Sequence, residues 1–235
     1  MASRLTCFAL LLAACGASQT EPVPATDSGP TSDGDKPSSG IAVEAEIGAM
    51  NEGAVLDTFR KSQSALMGCF QKGAGRVRFL GGKVRFHLRI DQSGKAKSAH
   101  LMQSTLGDRE TESCMLGVLR GQGWPSPQGG KEGIAETEFD FEPATDVRAP
   151  IEWDPADAGK NVAKAKAALE QCRRDANAGP ITATLYVDTD GSVLSVGVSG
   201  ENAATEEAAS CVVSALSAVK LSSPGSYPAK LTLGR

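Results

Sequence analysis

Two stretches of this chain keep the same distances between the same kinds of residue. An alternating run, Val84-Arg85-Phe86-His87-Leu88-Arg89-Ile90, leads into Asp91-Gln92-Ser93-Gly94, and a second, residues 181–187, leads into Asp188-Thr189-Asp190-Gly191. Strict alternation marks a half-buried strand, and the Gly-terminated polar cluster after it marks a hairpin turn. Gly94 precedes Cys114 by 20 residues, and Gly191 precedes Cys211 by 20. Thirty residues beyond each glycine stand Trp124 and Leu221, each followed three positions later by a proline, Pro127 and Pro224. Spacing held over this length points to a duplicated unit. The copies differ in length only upstream, where Cys69 to Gly94 spans 25 residues and Cys172 to Gly191 spans 19.

Around the cysteines the apolar period is helical. Val55, Phe59, Leu66 and Cys69, then Val162, Ala165, Leu169 and Cys172, and again Ala204, Ala208, Cys211 and Ala215 fall on one face each, which puts these cysteines on the buried stripes of helices. Residues 137–141 and 229–233 alternate as closing strands. Each copy therefore reads helix, strand, hairpin, strand, helix, strand. The expected fold class is α+β: two tandem domains, each a three-stranded antiparallel sheet covered on one face by two helices. Four cysteines permit three connectivities. The symmetry of the repeat selects Cys69 with Cys114 and Cys172 with Cys211, each closure contributing about 4 kcal/mol in a chain-entropy treatment.

The N-terminus is of another kind. Arg4 precedes an apolar run over residues 5–14, about the length of a signal-peptide core and too short to span a bilayer. Leu12-Ala13-Ala14-Cys15-Gly16 resembles the bacterial lipobox, which implies a signal peptide over residues 1–14 and a diacylglyceryl group on Cys15. Several acyl chains hold a protein firmly on a membrane surface. Gly16, in place of the aspartate associated with inner-membrane retention, favours the outer membrane. Residues 15–44 are mostly Ser, Thr, Pro, Gly and Asp and are expected to be a flexible tether. A second break around Pro143, Pro150 and Pro155 reads as a linker, residues 144–155, between domains at 45–143 and 156–235, with Trp153 tucked onto a neighbour. Without Cys7 in the leader and Cys15, four cysteines remain, an even number for an oxidising compartment.

A net charge of -4 gives no reason to expect a polyanion, so no nucleic-acid partner is expected. The two histidines, His87 and His100, lie outside any catalytic motif, and both read as solvated strand residues. Asp188-Thr189-Asp190-Gly191 begins like a calcium loop, yet the sixth and twelfth positions are Val193 and Ser199, where such a loop needs glycine and glutamate. It reads as a turn. Cysteine spacings of 45 and 39 do not suit a zinc site, and neither a cofactor nor an enzymatic activity is expected. Lys83, Arg85, His87 and Arg89 share the face opposite the apolar stripe, with Lys95 and Lys97 arriving on the next strand. Arg85, His87, Arg89, Lys95 and Lys97 are thus candidates to dock an acidic segment, a lipid headgroup or a peptidoglycan carboxylate. The second copy has Thr182, Thr184 and Tyr186 in that place.

Cys69-Phe70, Gly82-Lys83-Val84, the turn ending at Gly94, Ser104-Thr105-Leu106, Cys114 and Trp124-Pro125-Ser126-Pro127 together resemble the AgmX/PglI C-terminal domain of myxobacterial and related proteins. That domain is in turn similar to the C-terminal domain of TonB. The resemblance covers residues 48–143 well and 156–235 in outline, since the second copy has Leu221 for the tryptophan and lacks Ser-Thr-Leu. It implies a TonB-like fold, an envelope location and a link to motility or transport complexes, without an enzymatic activity. The binding mode it carries over is addition of an extended peptide to a strand edge, and residues 137–141 and 229–233 are the candidate edges. The expected function is a membrane-anchored, non-catalytic protein-binding or scaffolding module. A cell-wall-directed enzyme would need a cleft of convergent polar groups, and a passive spacer would show neither a strand edge nor a basic patch.

Overall fold

The computed structural model describes residues 45–234. The segments read as leader and tether, and Cys15, the expected lipidation site, lie outside the described residues. In chain order the elements are β1 (Ala45–Ile47), α1 (Glu52–Arg76), β2 (Gly82–Asp91), β3 (Ala96–Ser104), α2 (Arg109–Arg120), β4 (Gly130–Phe141), β5 (Ile151–Trp153), α3 (Asn161–Asp175), β6 (Ile181–Val187), β7 (Val193–Gly200), α4 (Ala204–Ser217) and β8 (Ala229–Leu233).

Local chemistry sets the helices of the first half. The Asn51 side chain accepts the Ala54 N–H at 2.9 Å, with Glu52 in the first turn and Arg76 in the last, so both ends of α1 are capped and suited to the helix dipole. Val55, Phe59, Ser62, Leu66, Cys69 and Gly73 are its buried face. Asp108 caps α2 by accepting the Thr111 N–H at 3.1 Å. Neither α3 nor α4 has a side-chain cap, and their hold comes from packing and from a covalent bond.

Each half is α+β, but the sheets are four-stranded and mixed rather than three-stranded and antiparallel. Their orders are β1-β4-β2-β3 and β5-β8-β6-β7. The extra strand pairs in parallel each time, β1 with residues 130–132 of β4 and β5 with residues 229–231 of β8. The segment read as a linker, 144–155, therefore contains β5. Cys69 is bonded to Cys114 across α1 and α2, and Cys172 to Cys211 across α3 and α4, with Cα separations of 5.8 and 5.7 Å.

The repeated spacing from glycine to Trp124 or Leu221 has a direct cause. Gly94 and Gly191 sit at positive φ, +77° and +84°, in the region glycine enters without steric cost. The Gly94 carbonyl accepts the Trp124 N–H, and the Gly191 carbonyl accepts the Leu221 N–H, both at 2.9 Å. A Cβ on either glycine would strike the carbonyl oxygen of Trp124 or Leu221. The hairpin tip and the exit of the second helix are thus clamped backbone to backbone in both copies.

Each half has its own core, one built on Phe59, Phe86, Leu116 and Trp124 and the other on Ala183, Leu185, Val212 and Leu231. The halves nevertheless belong to one compact unit. A shift of 97 residues carries Gly94 onto Gly191 and Cys114 onto Cys211, and the same shift carries Arg109 onto Glu206. These two meet in a bidentate pair, Nη1 to Oε1 at 3.1 Å and Nη2 to Oε2 at 2.7 Å. Contact between equivalent positions is the mark of a two-fold, isologous interface. The copies are joined as a dimer within one chain, with opposite charges where a true homodimer would set like against like.

Candidate functional site

Two places in the fold carry the polar groups singled out by the sequence or left over from the core: the open face of the first sheet with its edge, and the seam between the halves.

On the open face β2 presents Lys83, Arg85, His87 and Arg89, and β4 lies beside it in antiparallel register, His87 opposite Glu136 and Arg85 opposite Glu138. Arg85 Nη2 donates to Glu136 Oε2 at 2.8 Å, and His87 Nδ1 lies 2.7 Å from Glu136 Oε1. Arg89 Nε is 2.5 Å from Glu132 Oε2, and Lys97 Nζ donates to Glu132 Oε1. Lys83 reaches Glu138 at 3.7 Å. Of the five proposed docking residues, only Lys95 forms no close side-chain ion pair among the described residues, its charge acting on Asp91 from a greater distance. The expected basic patch is a lattice of alternating charge, because three carboxylates of β4, Glu132, Glu136 and Glu138, are shared among Lys83, Arg85, His87, Arg89 and Lys97. Partial burial of Glu136 disfavours its charge, but Arg85 and His87 outweigh this and hold its carboxyl below the usual range. Such a lattice has little net field left to attract an anion.

His100 departs from expectation more sharply. It is directly opposite His87, ring centroids 4.8 Å apart, yet it is only 4 % exposed because the second half covers this end of the sheet. Burial and the neighbouring His87 lower its pKa, against the opposing pull of the Glu201 backbone and of Glu206 and Glu136. Neither ring nitrogen has a hydrogen-bond partner of good geometry.

The seam holds a buried carboxylate that sequence reading did not single out. Glu112 is 0 % exposed. Its Oε1 accepts the Ser104 hydroxyl at 2.6 Å, and its Oε2 accepts the Val198 N–H of the other half at 2.9 Å. Gly197 makes room for this approach, since a Cβ there would strike Glu112 and the Gly107 backbone. Burial is the dominant influence and pushes the Glu112 carboxyl up to about 7, against the lowering effects of Ser104, Val198 and Arg109. Beside it Tyr186 is fully buried, donates to the Gly81 carbonyl at 3.1 Å and accepts the Gly81 N–H at 3.2 Å. Thr184 donates to the Ser104 carbonyl at 3.2 Å. The Thr184 and Tyr186 face, which stands in the second copy where the first carries its cations, is occupied by the first half of the same chain.

The two candidate edges fare differently. Residues 229–231 of β8 are covered by β5, which removes most of the second edge. In the first half β1 reaches only residues 130–132. From 134 to 141, β4 is paired to β2 on one side and to no strand of the described residues on the other. Ile134, 38 % exposed, lies near this edge, with Glu138 and Asp140 also exposed. No group of three or more metal-ligating side chains occurs among the described residues.

The chain matches no family model, no curated protein and no solved structure.

Proposed function

We propose that this chain is a lipid-anchored envelope protein, held through Cys15 at the outer membrane, and that it serves as a non-catalytic binding or scaffolding module of the TonB C-terminal and AgmX/PglI type. No described helix is long and apolar enough to cross a membrane; the attachment proposed is by acyl chains on Cys15, supported by the lipobox-like Leu12-Ala13-Ala14-Cys15-Gly16. Binding occurs by addition of an extended segment of a partner protein to the outer edge of β4. The single observation that carries this reading is the uncovered edge over residues 134–141. Every second residue of such a strand directs its N–H and C=O outward, and unpaired edges recruit other strands. An added strand would lay one side chain in two beside Ile134, Glu136, Glu138 and Asp140, which favours an apolar residue followed by basic ones.

A photoreactive amino acid placed at Glu138 or Asp140 in the intact envelope tests this. Adducts are expected at these two positions and absent when the same group replaces Lys61 on the exposed side of α1. Equal yield at Lys61, or no adduct at the edge, would overturn strand addition.

A further inference from the structure

The seam opens on one side into a cavity of about 510 Å³, within the size range of small-ligand pockets. The loop after α1 supplies Arg78 and Phe79, the segment before β5 supplies Asp146 and Arg148, and the second half supplies Asp188 and Leu194. Four of these are charged, and no ion pair joins them. Arg78 and Asp146 make no side-chain hydrogen bond or ion pair among the described residues. Arg148 rests its guanidinium over the Tyr227 ring, 4.4 Å from the centroid. The Asp188 carboxylate accepts only from the N–H and hydroxyl of Thr189. Of the remaining lining, Arg76 is already paired with Asp108 and Glu110, at 2.6 and 2.9 Å, and the rest is apolar or aromatic, with Leu194 45 % exposed.

The charge pattern selects among ligand classes. An anion would meet Asp146 and Asp188, a cation would meet the two arginines, and a neutral apolar molecule would leave four charges uncompensated as water is displaced. A molecule carrying both charges complements all four. We propose that this cavity binds a small zwitterion with an apolar side chain, either a free amino acid or a dipeptide. Its carboxylate lies on the guanidinium groups of Arg78 and Arg148, whose planar forks match that geometry. Its ammonium faces Asp146 and Asp188, and its side chain covers Phe79 and Leu194. This site lies apart from the β4 edge and stands whether or not that edge binds a strand.

Calorimetric titration of the full chain with L-phenylalanine and with the dipeptide Ala-Phe tests the proposal, and the preferred probe separates the two sources. Saturable binding is expected for at least one of them. Hydrocinnamate and phenethylamine, which each keep one charge, should bind at least about tenfold more weakly, as loss of a charge-assisted contact implies. The variant carrying Arg78→Gln and Arg148→Gln should melt as the parent does, because both side chains are exposed, and should bind about tenfold more weakly. Absence of saturable binding by both zwitterions would overturn the proposal, as would binding that the double variant leaves unchanged.

Discussion

Replacing Cys172 and Cys211 together by alanine is expected to destabilise the protein by about 4 kcal/mol, the loop-closure contribution for a link of this span. The second half has little to offset that loss. Its core relies on small residues, Ala158, Ala165, Ala183, Ala208 and Ala209, which bury less apolar area than the Phe, Leu and Trp of the first core. Its helices α3 and α4 lack side-chain caps. Net stabilities of domains are commonly about 5–15 kcal/mol, so the pair of substitutions takes a large fraction of the whole. Urea unfolding checks this with two probes, since Trp124 sits in the first core and Trp153 packs against the second. The Trp153 signal should move to markedly lower urea. A shift worth less than about 1 kcal/mol would mean that packing alone holds α3 to α4.

The second large effect concerns Glu112 and pH. Its carboxyl is raised from 4.5 to about 7 in the folded protein, so between these values the native state holds a proton that the unfolded chain has released. Stability from this group is fully present below about pH 4.5 and is lost as pH rises through about 7. With one pKa unit worth about 1.4 kcal/mol, the loss comes to about 3 kcal/mol by pH 8. His100 acts in the opposite sense. Its lowered pKa contributes stability above its unfolded value near 6.5, which fades as pH falls below that. The seam is therefore firmest in mildly acidic solution. Glu112→Gln, which can still accept the Val198 N–H and meet the Ser104 hydroxyl, should flatten the alkaline limb between pH 5 and 8 and leave the acidic limb in place. Chemical denaturation across that range measures both limbs. An unchanged alkaline limb in the variant would assign the loss to another group.

Much of this arrangement can be read from the chain. The alternation over residues 84–90 and 181–187, the turn glycines, the helical stripes and the repeat that relates the two copies locate six of the eight described strands and the four described helices. β1 and β5 escape such reading for a physical reason: three residues are too few to show a period, and parallel pairing with β4 and β8 leaves no local turn to mark it. The compensating acids were accessible, since Glu132, Glu136, Glu138 and Asp140 alternate along β4 with the parity that faces β2. Glu112 was also accessible, because it shares a helical stripe with Met115, Leu116 and Leu119. What alternation cannot reveal is which element covers a face. His100 and Tyr186 occupy outward positions of their sheets, and only the docking of one half on the other buries them.

Non-reducing peptide mapping of the full chain, purified without reductant, is the most direct check on the duplicated architecture. Proteolytic peptides should be joined as Cys69 to Cys114 and Cys172 to Cys211, with no free thiol at any of the four. Links between a cysteine of the first half and one of the second, or four unmodified thiols, would contradict two matched halves each closed on itself.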